Sequence, residues 1–116
     1  MDIQIFGTKK CTDTRKALRF FSERRVKTHF VDLKQKAASV GELRRFVQKF
    51  GVDAVMDRDS KRFLSLGLRQ AGYSPERWLG TFAEEPLILR TPLVRWKHRL
   101  AIGHDVETWK AWMEES

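Results

Sequence analysis

The chain has 116 residues, a length that suits one domain and leaves little room for two. Its net charge of +8 is spread along the chain as short basic pairs, without a basic tail, a zinc-finger spacing or an aromatic RNA-binding signature, so a nucleic-acid partner is not expected. A single cysteine excludes an internal disulfide and a cysteine-rich zinc site. With no apolar run long enough for a signal peptide or a membrane span, we expect a cytoplasmic protein that does not associate with membranes.

The first third of the chain predicts a strand, a helix and a second strand. Residues 2–6 alternate polar and apolar side chains, and Gly7 ends this strand. Residues 12–24 carry apolar side chains at helical spacing, and either Thr12 or Asp13 is expected to cap the helix. Residues 27–33 alternate again. Strand, helix and strand at these lengths are expected to form a right-handed parallel unit.

The central third predicts only helices. Residues 39–42 have the pattern of a capping box, and Gly51 is placed to end the helix that follows. Apolar residues over 63–68 predict a short helix and a turn near Gly67. Ser74 and Pro75 have the cap-and-proline pattern that begins a helix, which stops before Pro86.

The last third predicts a hairpin and a helix. Residues 93–96 and 99–102 resemble two short strands, and Asp105 caps a helix that buries Trp109 and Trp112. Without the central helices, the order is βαβ…ββα. We therefore predict an α/β protein with a thioredoxin-like mixed four-stranded sheet, built as one domain over 1–116 with a central helical insertion at roughly 36–88.

The cysteine, Cys11, lies between the first strand and the first helix. A helix N-terminus presents unpaired N–H groups and about half a positive charge, and it can also hold an oxyanion. A thiolate at this position is stabilised, so the pKa of Cys11 should lie below the value of ~8.5 for a free thiol. Lys9, Lys10 and Arg15 add positive charge nearby. The alternative is that Cys11 is a small buried residue without chemistry.

Thr14 stands where a CxxC motif would carry its second cysteine. An oxidised Cys11 therefore has no neighbouring thiol to resolve it and would need an external one, such as glutathione or a glutaredoxin. Thr14 itself either donates a hydrogen bond toward the thiolate or is an ordinary residue of the first helical turn.

Two further arginines are candidates for an anion site. Arg90 precedes Thr91 and Pro92, and Pro92 is a candidate for a cis peptide bond, in a backbone turn that could face Cys11. Arg58 lies in the loop at 56–59. A guanidinium fork suits a tetrahedral oxyanion better than a lysine does, while the alternative for each arginine is an ordinary solvated surface position. The three histidines are scattered, so no metal is expected.

Five segments, in this order and over nearly the whole chain, resemble the ArsC/Spx family: GTKKCTDTRKAL, LRRFVQKFG, SKRFLSLGL, PLILRTPLV and LAIGHDVETW. The resemblance implies a thioredoxin-like fold with a helical insertion. The family includes arsenate reductases that depend on glutathione and glutaredoxin, and Spx-type regulators that bind RNA polymerase. The resemblance implies that no cofactor is bound and that glutathione is the co-substrate.

The resemblance also implies roles for single residues. In the reductases, a cysteine followed four residues later by an arginine binds and reduces arsenate, and Cys11 and Arg15 match that spacing. The resemblance thus implies Cys11 as the nucleophile and Arg15 as an anion contact. Arg90 resembles the family arginine beside the cis-proline, and Gly103 resembles the glycine that closes the last strand.

Three positions depart from the reductase pattern. Gly7 stands where reductases of this type carry a histidine, Asp59 stands where an arginine is expected with Arg58 beside it, and Thr91 separates the arginine from the proline. Spx-type regulators usually carry a CxxC switch, which Thr14 removes. The expected function is thiol-dependent reduction of an oxyanion or a glutathione adduct. The alternative is a regulator that binds RNA polymerase without catalysis.

Overall fold

The computed structural model describes all residues, Met1–Ser116, and these form two compact units. The first unit comprises Met1–Asp32 and Thr91–Ser116, and the second comprises Leu33–Arg90. The second unit is therefore inserted, along the sequence, between the two halves of the first. That a single domain contains both stays a prediction.

The first unit contains a four-stranded mixed sheet and two helices. Its elements are β1 (Asp2–Gly7), α1 (Thr12–Glu23), β2 (Lys27–Asp32), β3 (Leu93–Trp96), β4 (Arg99–Ile102) and α6 (Val106–Glu115). The strand order is β2-β1-β3-β4, with β1 parallel to β2 and antiparallel to β3, and β3 antiparallel to β4. The predicted thioredoxin-like sheet is confirmed, with the parallel βαβ unit and the hairpin where the sequence patterns located them.

The core of the first unit lies between the sheet and its two helices. Ile3 and Ile5, two residues apart on β1, share one face of the sheet. Trp109, on α6, is fully buried. The centroid of its ring lies 5.2 Å from the ring centroid of Phe20 and 5.5 Å from that of Phe21, both on α1. The buried cluster consists of Ile3, Ile5, Ala17, Phe20, Phe21, Val94, Trp96, Ala101, Trp109 and Trp112. This packing fixes α1, and therefore the turn that precedes it.

The second unit is helical. Its elements are α2 (Val40–Phe50), α3 (Val52–Val55), α4 (Lys61–Ser65), α5 (Pro75–Glu84) and two 3₁₀ turns at Leu68–Gln70 and Pro86–Ile88. Helices α2 and α5 begin at the predicted caps, and α4 overlaps the short helix predicted from residues 63–68. The sequence reasoning missed α3 and the turn at Pro86–Ile88 because each spans only about one helical turn, which is too short to show a hydrophobic period. No helix of the chain is both long and apolar enough to cross a membrane.

A short backbone pairing inside the second unit joins its middle to its last residues. Met56 and Leu89 form an isolated antiparallel bridge. The N–H of Asp57 donates to the carbonyl of Ile88 at 2.8 Å, and the N–H of Arg90 donates to the carbonyl of Val55 at 2.8 Å. The loop that carries Arg58 is therefore held beside the segment that carries Arg90.

Candidate functional site

The turn between β1 and α1 holds Cys11 immediately before the helix. The N–H of Cys11 donates to the carbonyl of Thr8 at 3.2 Å, which closes the turn. Cys11 is itself the N-cap of α1, and its Sγ accepts a hydrogen bond from the N–H of Thr14 at 3.4 Å. The prediction that Thr12 or Asp13 caps the helix is wrong, because the helix begins directly after Cys11 and both residues lie within its first turn.

A second contact approaches the sulfur from the segment before β3. The Cys11 thiol donates to the carbonyl oxygen of Thr91 at 3.6 Å. The Thr91–Pro92 peptide bond is cis, and Pro92 is buried. The carbonyl of Pro92 accepts the N–H of Gly103 at 2.8 Å, which joins this segment to the end of β4. The sulfur therefore lies between the start of α1 and the start of β3.

These surroundings shift the ionisation of the thiol. Burial raises the pKa of Cys11, but the nearby side chains of Thr14 and Thr91 and the backbone N–H groups of Thr14 and Asp13 lower it by more. The resulting pKa lies below that of an ordinary cysteine. The physical reason is that each donor stabilises the charged form of the sulfur. Cys11 is also partly exposed, so a small reagent can reach it.

Thr14 is the one polar residue whose side chain is fully buried. Its hydroxyl makes no hydrogen bond of normal geometry, although its proximity to the sulfur is one of the influences that lower the pKa of Cys11. Buried hydroxyls are nearly always paired, because leaving one unpaired costs free energy. The group of Thr14 that contacts the sulfur is its backbone N–H, so a hydrogen bond from the hydroxyl to a thiolate stays a prediction.

The side chain of Arg15 donates two hydrogen bonds to the same turn. Its side chain is exposed, with Nη1 donating to the carbonyl of Lys9 at 2.9 Å and Nη2 donating to Oγ1 of Thr12 at 3.4 Å. The guanidinium has five N–H donors in all. The remaining donors leave it able to bind an anion next to the start of α1.

Arg58 and Arg90 belong to the second unit, whereas Cys11, Thr14, Arg15 and Pro92 belong to the first. Arg58 is exposed, pairs with Asp53 at 2.9 Å and lies over the ring of Phe63 at 5.8 Å. Arg90 is exposed and uses its backbone, not its side chain, in the pairing described above. The anion-binding roles of both arginines stay predictions.

The loop around Arg58 also contains Asp59, one of the three positions at which the sequence departs from the reductase pattern. Asp59 is exposed, and its backbone N–H donates to Oδ1 of Asp57 at 3.0 Å. The acidic side chain therefore belongs to a short turn in the second unit. Among all residues of the chain, no three His, Cys, Asp or Glu side chains lie close enough together to hold a metal ion.

Comparison with known proteins decides the family. The model of the ArsC family matches residues 6–112, which is nearly the whole chain. The chain belongs to the ArsC family. A protein named arsenate reductase from Neisseria meningitidis serogroup A is 25% identical over 113 residues, covering 95% of this chain and 97% of its own length. This ArsC relationship places the chain in an arsenate reductase-like family.

Solved structures agree with this ArsC assignment at the level of the fold. The YffB protein superposes with a TM-score of 0.84 and 22% identity, covering 94% of this chain and 96% of its own. An arsenate reductase from Vibrio cholerae superposes with a TM-score of 0.80 and 23% identity, covering 93% and 94%. At these identities the likeness concerns the path of the chain, not the chemistry of the site.

Two features of the site were missed by the sequence reasoning. One is that Cys11 caps its own helix. Cysteine is not among the usual N-cap residues, so Thr12 and Asp13 had the stronger signal. The other is which atom of the turn at Pro92 contacts the sulfur: it is the carbonyl oxygen of Thr91, 80 positions away. The position of Thr91 before a proline indicated only that a turn there could face Cys11.

Proposed function

We propose that this chain is a thiol-dependent reductase of the arsenate reductase type, with Cys11 as its nucleophile. The observation that carries the proposal is the hydrogen bond from the N–H of Thr14 to Cys11 Sγ at the start of α1. A partly exposed sulfur that caps a helix has both the lowered pKa and the access that a nucleophilic thiol requires.

The chemistry begins with attack of the thiolate on arsenic. The S–As bond forms, one arsenate oxygen leaves as water, and arsenic stays in the +5 state. Reduction to the +3 state needs two electrons, which two thiols supply when they join as a disulfide. The balance is H₃AsO₄ + 2 RSH → H₃AsO₃ + RSSR + H₂O. A glutathione adduct would instead be attacked at its sulfur, with the other thiolate leaving.

The chain cannot supply both thiols from its own residues. It holds one cysteine, and the position of a CxxC partner is occupied by Thr14. We therefore propose glutathione as co-substrate, with a glutaredoxin as the protein that regenerates the thiol. Both belong to reducing compartments, which agrees with a cytoplasmic location.

Arginines would hold the oxyanion while the sulfur attacks. Arg15 lies in the turn that carries Cys11, and its guanidinium retains free donors after binding Lys9 and Thr12. Arg90 directly precedes Thr91, whose carbonyl contacts the sulfur. Arg58 would have to exchange its partner Asp53 for the substrate, so we give it a smaller contribution.

The test measures the arsenate-dependent oxidation of glutathione, with and without added glutaredoxin. The glutathione disulfide that forms is followed by coupling its reduction to NADPH consumption. The control variant is Cys11→Ser, which removes the nucleophile and keeps an oxygen at the cap. Because serine is a preferred N-cap residue, this variant should fold. Turnover by the natural chain and none by Cys11→Ser is the expected result. Equal rates for the two would refute the proposal.

A second candidate is an Spx-like regulator that binds RNA polymerase without catalysis. The observation that favours it is Asp59, an exposed carboxylate in the loop where a reductase of this type carries an arginine. A carboxylate near an oxyanion would weaken its binding. Capture of RNA polymerase by both the natural chain and Cys11→Ser, without turnover by either, would support this candidate.

A further inference from the structure

Strand β1 and helix α1 approach each other closely at Gly7 and Thr14. Gly7, the last residue of β1, pairs with Asp32 of β2 in the sheet. A Cβ added to Gly7 would lie 2.4 Å from Oγ1 and 2.7 Å from Cγ2 of Thr14. The glycines with positive φ are Gly51, Gly67 and Gly103. Gly7 is therefore required for space and not for an unusual backbone conformation.

The residue that fills this space is the buried Thr14. Its hydroxyl has no hydrogen-bond partner of normal geometry while the thiol is protonated. In that state the thiol proton is directed to the carbonyl of Thr91. Once the proton leaves to solvent, the sulfur loses that bond and becomes a strong acceptor. The buried Thr14 hydroxyl, on the residue whose N–H already donates to Sγ at 3.4 Å, is then the donor available to the sulfur, and it keeps its own proton.

We propose that Gly7 is a positioning residue for the reactive thiol: its missing side chain is what allows Thr14 to pack where its hydroxyl can donate to the Cys11 thiolate. Any side chain at position 7 would displace Thr14 and leave the thiolate without this donor. The inference rests on the proposed function for its meaning, since it concerns the same sulfur. It adds a residue of β1 that acts through Thr14.

The experiment measures the alkylation rate of the single thiol by iodoacetamide across pH, which gives the pKa of Cys11 without arsenate or any reductant. Gly7→Ala should slow alkylation at pH 6 by at least about threefold, which corresponds to a rise of about half a pKa unit. The matched control is Gly80→Ala, since Gly80 lies in α5 and a Cβ there would meet nothing within 4 Å. This control should leave the profile unchanged.

Substitutions of Thr14 distinguish the effect of its hydroxyl as a hydrogen-bond donor from the effect of its side-chain volume. Thr14→Val keeps the shape and removes the donor, so it should raise the pKa of Cys11 like Gly7→Ala. Thr14→Ser keeps the donor and should retain the low pKa. A variant that combines Gly7→Ala with Thr14→Val should show the same pKa of Cys11 as Thr14→Val alone, because both substitutions remove one and the same hydrogen bond.

Should Gly7→Ala fail to fold, Gly7→Ala combined with Thr14→Ala keeps the test open, because only the Thr14 Cβ, at 3.1 Å, remains near the added methyl group. Recovery of folding in that pair supports the steric link. An unchanged alkylation profile in folded Gly7→Ala, or in Thr14→Val, would overturn the inference. Neither result depends on arsenate reduction, so failure of the proposed function and failure of this inference can be told apart.

Discussion

The starts of α1 and α2 are built on the same hydrogen bond, made by different atoms. At α2, Oγ of Ser39 accepts the N–H of Glu42 at 3.1 Å. At α1, Sγ of Cys11 accepts the N–H of Thr14 at 3.4 Å. Both caps lie three residues before their donor. A neutral sulfur is a weak acceptor and an oxygen is a good one, so the protonated Cys11 does less for its helix than Ser39 does.

The other long helices resemble α2 in this respect. Oγ of Ser74 caps α5 by accepting the N–H of Arg77 at 3.2 Å, and Oδ1 of Asp105 caps α6 by accepting the N–H of Thr108 at 3.2 Å. The thiol at α1 is thus the exception. At α2, α5 and α6 the cap stabilises the helix, whereas at α1 the helix stabilises the ionised form of its cap. That difference sets the start of α1 apart from the other three helix starts.

Moving the thiol from one helix start to the other should have the largest effect. A chain with Cys11→Ser and Ser39→Cys would keep one thiol at a capped helix start, but away from Thr14 and Thr91. We expect its arsenate-dependent turnover to fall to background, as measured by NADPH consumption in the glutathione-coupled assay. The single Ser39→Cys variant, which keeps Cys11, is the control and should retain turnover. Restored activity in the double variant would mean that any thiol at a helix start suffices.

The same comparison shows why the fold was more predictable than the site. Ser39, Ser74 and Asp105 are cap residues with local signals, and the helices they begin were located from the sequence. The alternation in 93–96 and 99–102 likewise located β3 and β4 as the structure has them. These elements depend on periodicity and on neighbours within a few residues.

The site depends on contacts that no local pattern contains. The C-x-x-x-R spacing drew attention to Cys11 and Arg15, and the structure puts both in one turn. The contact between Gly7 and Thr14 joins residues of a strand and a helix, and the contact between Cys11 and Thr91 spans 80 positions. Only tertiary structure brings such residues together, so their roles could not be derived from spacing.

Removing an oxygen cap should cost stability without altering the thiol. Ser39→Ala leaves the N–H of Glu42 without its side-chain acceptor, and the loss of such a cap typically costs about 1 kcal/mol of the free energy of unfolding. Denaturant unfolding followed by tryptophan fluorescence measures this. Ser22→Ala, on the exposed side of α1, is the matched control and should change the free energy of unfolding by less than about 0.5 kcal/mol. A loss as small as that of the control would show that the cap at α2 contributes nothing.

Removing the sulfur cap should have a smaller effect, and one that depends on pH. The pKa of Cys11 is lower in the folded chain than in the unfolded chain, where it is ~8.5, so the folded state loses its proton first as pH rises. The stability that the thiolate contributes is therefore fully present above ~8.5 and is lost as pH falls through the folded pKa. The difference in free energy of unfolding between the natural chain and Cys11→Ala should be small at pH 5.5 and should increase toward pH 9. The difference between Cys11→Ser and Cys11→Ala, neither of which has a thiol, should stay constant over that range. If the difference in free energy of unfolding between the natural chain and Cys11→Ala did not change with pH, folding would leave the pKa of Cys11 unaltered. The starts of α1 and α2 would then differ only in the atom that caps the helix.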